Sequence, residues 1–328
     1  MNYVEAKSAF TSLFRHELSD AQMRDFLVSM KLDASTSVEA IAAAAQVMRS
    51  FAIALPISEE LRSQAIDIVG TGGDKIGSFN ISSTVAILVA SCGSVVAKHG
   101  SRSVTSKSGS ADMFEALGVR LDLSIEQSAR LLEESGFTFM FAQNHHPAMK
   151  FIMPVRKTIS EKTIFNILGP LTNPAGVKKS MLGVFSKDFV PKMAEALKLN
   201  GATSTMVVSS KEGMDEISLS NITYASQLRD GVVKEFEIDP QLYSIKKAPL
   251  EAIMGGDAKQ NARILFNIFD ANASDAQRDI VLLNAAAALM VDGSARDIQD
   301  GLEMAREAIK NARAKKKLRQ IIEISNKL

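Results

Sequence analysis

The spacing of apolar and polar positions divides the chain into stretches with different periods. Up to about residue 60 the period is helical. Ser19 and Gln22 form a capping box ahead of Met23, Phe26, Leu27 and Met30 on one face, and Thr36 with Glu39 predicts a second box before Ile41, Ala45 and Met48. From Ile66 the pattern alternates. The short run Ile66–Val69 reads as a strand, a helix follows from about Ser82 to Cys92 and stops at Gly93, and Ser94–Ala97 is a second strand. Asp112–Leu117 is a short helix ended by Gly118, Ser124 and Gln127 cap a longer one ended by Gly136, and Phe137–Ala142 is a third strand. Strand–helix–strand units predict a parallel sheet that takes ligands at the carboxyl ends of its strands.

Between His146 and Asn173 the strand pattern is lost. Prolines at 147, 154, 170 and 174 punctuate a segment that is helical to about Lys157, which reads as an excursion out of the sheet and back to the N-terminal helices. Alternation resumes with a strand at Met181–Ser186, a helix at Val190–Leu199, a strand at Thr205–Val208 and a hairpin around Asp230-Gly231. Three helical patterns, broken near Ser274 and Gly293, complete the chain.

Composition narrows the class. At 328 residues with 46% apolar side chains, the chain has enough material for one large domain or two unequal ones. Lys plus Arg number 38 against 37 Asp plus Glu, which argues against a general nucleic-acid or membrane-surface binder. Cys92 is the single cysteine, so intrachain disulfides and thiolate metal clusters are excluded, and its apolar surroundings mark a small buried hydrophobe. No basic segment followed by an apolar one opens the chain and no apolar run reaches membrane-spanning length, so the expected location is cytoplasmic.

Candidate chemistry begins in the loop after the first strand, which carries glycines at 70, 72, 73 and 77 before helical signals resume at Asn80. Glycines allow a tight turn that aims backbone N–H groups at one point beside a helix N-terminus, an arrangement suited to phosphate. The loop lacks both the Lys-Ser/Thr ending of a nucleotide P-loop and the Gly-x-Gly-x-x-Gly spacing of a dinucleotide fold. It also holds Asp74, which would repel phosphate unless it bonds to a ligand hydroxyl, a cation or the loop's own amides, so a phosphorylated sugar with a metal is the first expectation. The loop Lys98–Ser110 adds three cations, six hydroxyls and two glycines, a composition suited to a pyrophosphate. His99, His145 and His146 fall at predicted strand ends with no cysteine or carboxylate at zinc-ligand spacing, so they are expected to bond to substrate or order the site. Asp215 and Glu216 follow a later strand and could ligate Mg²⁺, although adjacent acids in a turn are more often simply solvated.

Taken together these segments resemble the anthranilate phosphoribosyltransferase family. The resemblance rests on Gly70-Thr-Gly-Gly-Asp74, Asn80-Ile-Ser-Ser83, Lys98-His-Gly100, Lys107-Ser-Gly-Ser-Ala-Asp112, Glu115-Ala-Leu-Gly118, His146-Pro-Ala-Met-Lys150, Pro154-Val-Arg156, Thr163-Ile-Phe-Asn166, Leu168-Gly-Pro-Leu171, Asn173-Pro174 and Met214-Asp-Glu216, in family order across about half the chain. It implies an α/β protein of nucleoside phosphorylase-like fold: a small all-helical domain, 1–64 with 147–175 returning to it, joined to an α/β domain of 65–146 and 176–328 with a mostly parallel central sheet. It implies transfer of phosphoribosyl from 5-phosphoribosyl pyrophosphate (PRPP) to the amine of anthranilate in tryptophan biosynthesis, by a homodimer joined through the helical domain, with two Mg²⁺ per subunit.

Carried over by motif, Gly70, Gly73, Asp74 and Ser78 would line the PRPP site. Asn80, Ile81, Ser82 and Ser83 would take its phosphate end, and Lys98, His99, Gly100, Ser101, Arg102, Ser103, Val104, Thr105 and Ser106 with Ser110 its pyrophosphate. Ser82, Asp215 and Glu216 match the metal positions. Gly70, His99, Ser101, His146, Arg156, Gly169 and Pro170 would shape the anthranilate site, with Arg156 paired to the carboxylate. The sequence departs from the family at Ser101, where Asn is usual, at Lys162, where Arg is usual, and at the Ser160-Glu161 turn before it. A pyrimidine nucleoside phosphorylase of the same fold and a non-catalytic phosphate- or nucleic-acid-binding relative are the alternatives.

Overall fold

The structure, a computed structural model, describes residues 1–102 and 107–328. The chain opens with helices α1 (Tyr3–Phe14), α2 (Asp20–Ser29), α3 (Val38–Ser50) and α4 (Glu59–Gln64). The box at Ser19 and Gln22 forms as expected, each side chain bonding the other residue's backbone N–H. The one expected at Thr36 does not. Ser37 caps α3 by accepting the Ala40 N–H at 3.1 Å, while the Thr36 hydroxyl turns back to the Asp33 amide. A serine one position nearer the helix wins because its oxygen reaches the third amide directly.

Then come β1 (Ile66–Gly70), α5 (Ile81–Ser91), β2 (Val96–Gly100), α6 (Ser110–Ala116), α7 (Ile125–Ser135), β3 (Phe137–Phe141), α8 (Ala142–His145), α9 (Met149–Arg156) and α10 (Phe165–Leu168). The remainder is β4 (Lys179–Gly183), α11 (Val190–Leu199), β5 (Ser204–Ser210), the hairpin β6 (Thr223–Arg229) and β7 (Val232–Ile238), and helices α12 (Ala258–Phe269), α13 (Asp275–Asp292), α14 (Ile298–Lys310) and α15 (Arg313–Lys327). The last stretch thus holds four helices, not three. Ala312 adopts a left-handed conformation, φ 54°, and breaks the helical pattern at a point where no glycine or proline stands. The hairpin turns at Asp230-Gly231 with φ of 52° and 74°, the geometry that suits a two-residue loop.

The sheet runs β3-β2-β1-β4-β5-β6-β7, parallel from β3 to β5 and antiparallel through β6 and β7. Its order reverses at β1, so the crevice outside the ends of β1 and β4 is a topological switch point, where such sheets bind ligands. Side chains alternate across the sheet in register: Ile68, Met181 and Met206 face the core formed with α5 and α12 to α15, while Val69, Leu182 and Val207 face the opposite side. That second core also contains Phe10, Leu27 and Ile41 of the N-terminal helices, with Ile152 and Leu168 from the mid-chain excursion. The excursion does return to the N-terminal block. Thr163 pairs with Lys31 in an isolated bridge, and Leu32 N–H and Ile164 N–H donate to Lys162 O and Met30 O, each at 2.9 Å.

Candidate active site

Two strands end in glycine at the switch point, and the reason is steric. A Cβ on Gly70, at the end of β1, would lie 2.3 Å from Asp215 Oδ2, and one on Gly183, at the end of β4, would lie 1.5 Å from the Asp215 carbonyl oxygen. Bare backbone at both positions lets the turn after β5 cross the carboxyl edge of the sheet. There the Asp215 Oδ2 accepts the Gly72 N–H at 2.7 Å, and Glu216 Oε1 accepts the Ser82 N–H at 3.0 Å. The acidic pair singled out as a candidate for Mg²⁺ therefore reaches both the glycine loop and the start of α5.

The pair is pinned from behind. Met214 and Ile217 are fully buried on either side of it. Asn284, 1% exposed in the middle of α13, accepts the Ile217 N–H and donates to the Ile217 carbonyl, both at 2.9 Å, so both backbone polar groups beside Glu216 are satisfied. Burial, reinforced by the negative charge of Asp74, pushes the Asp215 carboxyl up to about 7; burial and the Asp215 charge likewise raise Glu216 well above the usual carboxylate range. Asp74, which lies beside Asp215, turns its Oδ1 to the Ile76 N–H at 3.1 Å, so the aspartate also serves its own loop.

Asn80 occupies the N-cap position of α5 without capping it. Its side chain donates to the Ser108 carbonyl at 3.2 Å and accepts from Asn261 Nδ2 at 2.7 Å, tying the loop before α6 to α12, so the first turn of α5 is met by Glu216 instead of by its own N-cap side chain. Ile81 and Ser83 are buried in this first turn, and Ser78 is bridged to Met254. Lys98 is 1% exposed, its ammonium donating to the Ile68 carbonyl and, at 3.3 Å, to Ser82 Oγ. It thus sits beneath the loop among Asp67, Glu216 and Asp215, and burial lowers its pKa against their pull.

The segment expected to hold pyrophosphate is only partly described, since Ser103, Val104, Thr105 and Ser106 lie outside the described residues. Gly100 is packed where a Cβ would meet Phe139 at 2.8 Å and Ser110 at 3.2 Å. Ser101 is exposed; its hydroxyl donates to the Arg102 carbonyl at 3.1 Å and its own carbonyl accepts the Ala111 N–H at 3.3 Å. Arg102 pairs with Glu115 through both oxygens, at 2.5 and 2.6 Å, and with Asp112 at 2.9 Å, its guanidinium over the Phe141 ring.

A second group lies where β2 meets the mid-chain excursion. His99 donates its backbone N–H to Asp67 Oδ1 at 3.1 Å, and its Nδ1 lies 3.3 Å from the Gly169 carbonyl. A carbonyl only accepts, so Nδ1 carries the proton and the buried Nε2 offers a lone pair with no partner among the described residues. The His146 ring is 5.1 Å from it, centre to centre, with both nitrogens buried beside the Thr172 backbone. Burial pushes His99 well below its ordinary value and His146 down to about 4, so both are neutral at pH 7. His145 departs from this pair: its Nδ1 bonds the Ile53 carbonyl at 2.7 Å, which orders the N-terminal block. Pro170 is buried beside Gly169. Arg156, half-buried at the end of α9 over the Phe165 ring, forms no ion pair among the described residues.

Three residues that the sequence reading missed matter here. Gly183 carries no local signal, because its requirement comes from a turn 32 residues away in the chain. Asn284 and Asp67 do carry one: each is a polar residue inside an apolar run, Asn284 after Ile280-Val-Leu-Leu and Asp67 between Ile66 and Ile68. Among the described residues no group of three or more His, Cys, Asp or Glu forms a ready-made metal cage.

Residues 62–315 match the family model described as the glycosyl transferase family, a/b domain. The chain is 44% identical over 324 residues to the anthranilate phosphoribosyltransferase of Xanthobacter autotrophicus, covering 99% of this chain and 92% of that one. Its fold superimposes with a TM-score of 0.92 on the anthranilate phosphoribosyltransferase of Thermus thermophilus, 35% identical over 99% of this chain and 96% of that one. The Saccharomyces cerevisiae anthranilate phosphoribosyltransferase in complex with PRPP and Mg gives a TM-score of 0.88 at 26% identity, over 100% of this chain and 94% of that one. A family model spanning most of the chain and near full-length identity of this order agree with the ordered motifs and with the sheet topology: the chain belongs to the anthranilate phosphoribosyltransferase family.

Proposed function

We propose that this protein transfers the 5-phosphoribosyl group of PRPP to the amine of anthranilate, giving N-(5-phosphoribosyl)anthranilate and pyrophosphate. The observation that carries this reading is the meeting of Asp215 and Glu216 with the amides of Gly72 and Ser82 at the switch point. It puts a glycine loop, a helix N-terminus and buried carboxylates at one place, which suits a sugar bearing both a phosphate and a pyrophosphate.

Gly70, Gly73, Asp74 and Ser78 would line the donor site, with the start of α5 from Asn80 to Ser83 taking the phosphate. Arg102 and Ser110 would face the pyrophosphate, with Lys98 supporting them from beneath. The carboxyls fit magnesium: two raised acids beside a third would give up their protons in favour of a hard cation, and oxygens of the substrate would complete the ligand set. Asp215 and Glu216 are held on different partners, which supports two ions per subunit, with Ser82 beside the second. When bound, Mg²⁺ supplies positive charge to the departing pyrophosphate.

Loss of pyrophosphate leaves positive charge on the ribose, and the aromatic amine needs no strong base to attack it. The neutral rings of His99 and His146 can accept or donate a hydrogen bond without adding charge, and the unpaired Arg156 guanidinium suits the anthranilate carboxylate. Gly70, Ser101, Gly169 and Pro170 would complete the acceptor side. No residue is assigned as a covalent nucleophile; orientation and electrostatics carry the reaction. The same reading includes a helical domain of 1–64 with 147–175, an α/β domain of 65–146 and 176–328, a cytoplasmic location, and a homodimer through the helical domain, on whose helices Val4, Val28 and Phe151 are exposed.

The deciding experiment follows loss of anthranilate fluorescence with PRPP and Mg²⁺. Turnover that stops on chelation is the expected result. PRPP binding by calorimetry without turnover of anthranilate would overturn the acceptor assignment.

A further inference from the structure

Lys162 links the N-terminal helical block to the glycine loop, by its backbone at one end and its ammonium at the other. Its backbone belongs to the N-terminal helical block: the carbonyl accepts the Leu32 N–H at 2.9 Å, and the next residue, Thr163, is bridged to Lys31. Its side chain leaves that block altogether. The ammonium donates to the Gly73 carbonyl at 3.1 Å and sits 3.2 Å from the centre of the Phe185 ring, two residues beyond β4. Among the described residues this is the single hydrogen bond between the 71–76 loop and the 147–175 segment.

The loop needs such a tie. Gly72 and Gly73 both hold positive φ, 64° and 70°, and among the described residues a Cβ at Gly73 would find only the Lys162 ammonium within 4.0 Å. The Asp74 that follows is the loop's own contribution to the carboxylate group. Burial and the neighbouring Lys75 lower the Lys162 pKa, while Asp74 and Asp215 oppose that shift, which places the ammonium within reach of the same charges.

We infer that Lys162 is a positioning residue that straps the Gly73-Asp74 turn to the helical block and thereby sets how firmly the phosphoribosyl donor is held. This rests on the reaction proposed above. It acts through Gly73 and not by contact with either substrate. It also gives a structural meaning to a lysine at this position, because a point charge can donate to a carbonyl and lie over a ring at once, and an arginine can do both through a planar fork.

Steady-state kinetics of the full chain test it. Loss of a charged donor to a carbonyl predicts that Lys162→Met raises KM for PRPP about tenfold. KM for anthranilate should stay within about twofold and kcat should fall much less than KM for PRPP rises, the signature of lost donor binding as opposed to lost chemistry. Lys162→Arg should restore most of the PRPP affinity. Lys162 is half-buried, so both variants are expected to fold, and their melting temperatures are measured alongside. Equal rises in both KM values, an unchanged KM for PRPP, or no rescue by arginine would each overturn the inference. Calorimetric titration of the wild type and the Met variant with PRPP reads the strap without turnover. If the wild type binds PRPP but does not consume anthranilate, the acceptor assignment fails, and the strap is still decided: weaker PRPP binding by the variant supports it and equal binding refutes it.

Discussion

A carboxyl raised to about 7 is a liability to the fold that a ligand can relieve, and Asp215 is such a group. Its value in an unfolded chain is roughly 3.9. A folded value above the unfolded one means that the stability associated with this group is fully present below about pH 4 and is lost as the pH climbs towards about 7, because only the unfolded chain gives up its proton freely over that range. Asp215→Asn keeps an oxygen for the Gly72 amide and removes the charge. In metal-free buffer the variant should lie closest to the wild type near pH 4 and pull ahead as the pH rises, by on the order of a few kcal/mol at pH 7.5. His99 and His146, whose lowered values act in the opposite direction, cancel in that difference. Melting curves across the interval check it, and a gap that does not widen with pH would contradict the raised carboxyl. At this scale the sequence exposed what was chemically conspicuous: Asp74, Asp215 and Glu216 were legible as acids beside a glycine loop. Gly183 was not, since a glycine at a strand end looks the same whether it faces water or, as here, another turn's backbone.

Individual elements were legible where their signals are local. Ser19 with Gln22 and Ser124 with Gln127 mark helix starts because the bonds they make close within three residues. The break before α15 was illegible because an alanine in a left-handed conformation leaves no trace in composition. α13 shows how an element can serve a site it never enters. Asn284 faces the Asp-Glu turn from the buried middle of that helix, and its two bonds to Ile217 hold the backbone beside Glu216. Asn284→Ala would leave a buried N–H and a buried carbonyl without partners, at a cost of about 2 kcal/mol. A purely structural residue would lower only the melting temperature. Here the Mg²⁺ concentration required for half-maximal rate should also rise, and titration of the metal at saturating PRPP reads that shift.

For the molecule as a whole, the sequence marked out the α/β class, the excursion after His146 and its return to the N-terminal helices. It marked an edge near residue 64 where the period changes, yet packing does not respect that edge. Phe10, Leu27 and Ile41 share one apolar core with Val69, Leu182 and Val207 of the sheet and with Met193 of α11. Removing residues 1–64 should therefore expose that face of the sheet and yield aggregated protein in place of a smaller soluble one; a soluble, monodisperse fragment on size-exclusion chromatography would refute this. The same shared core bears on how the chain could be recombined. A chimera that takes its helices from a relative and its sheet from this protein would join two halves of one interior that had been fitted separately. Grafts of this kind should work only when Val69, Leu182 and Val207 travel with the helices, so that the unit of exchange follows the core and not the linear order of the chain.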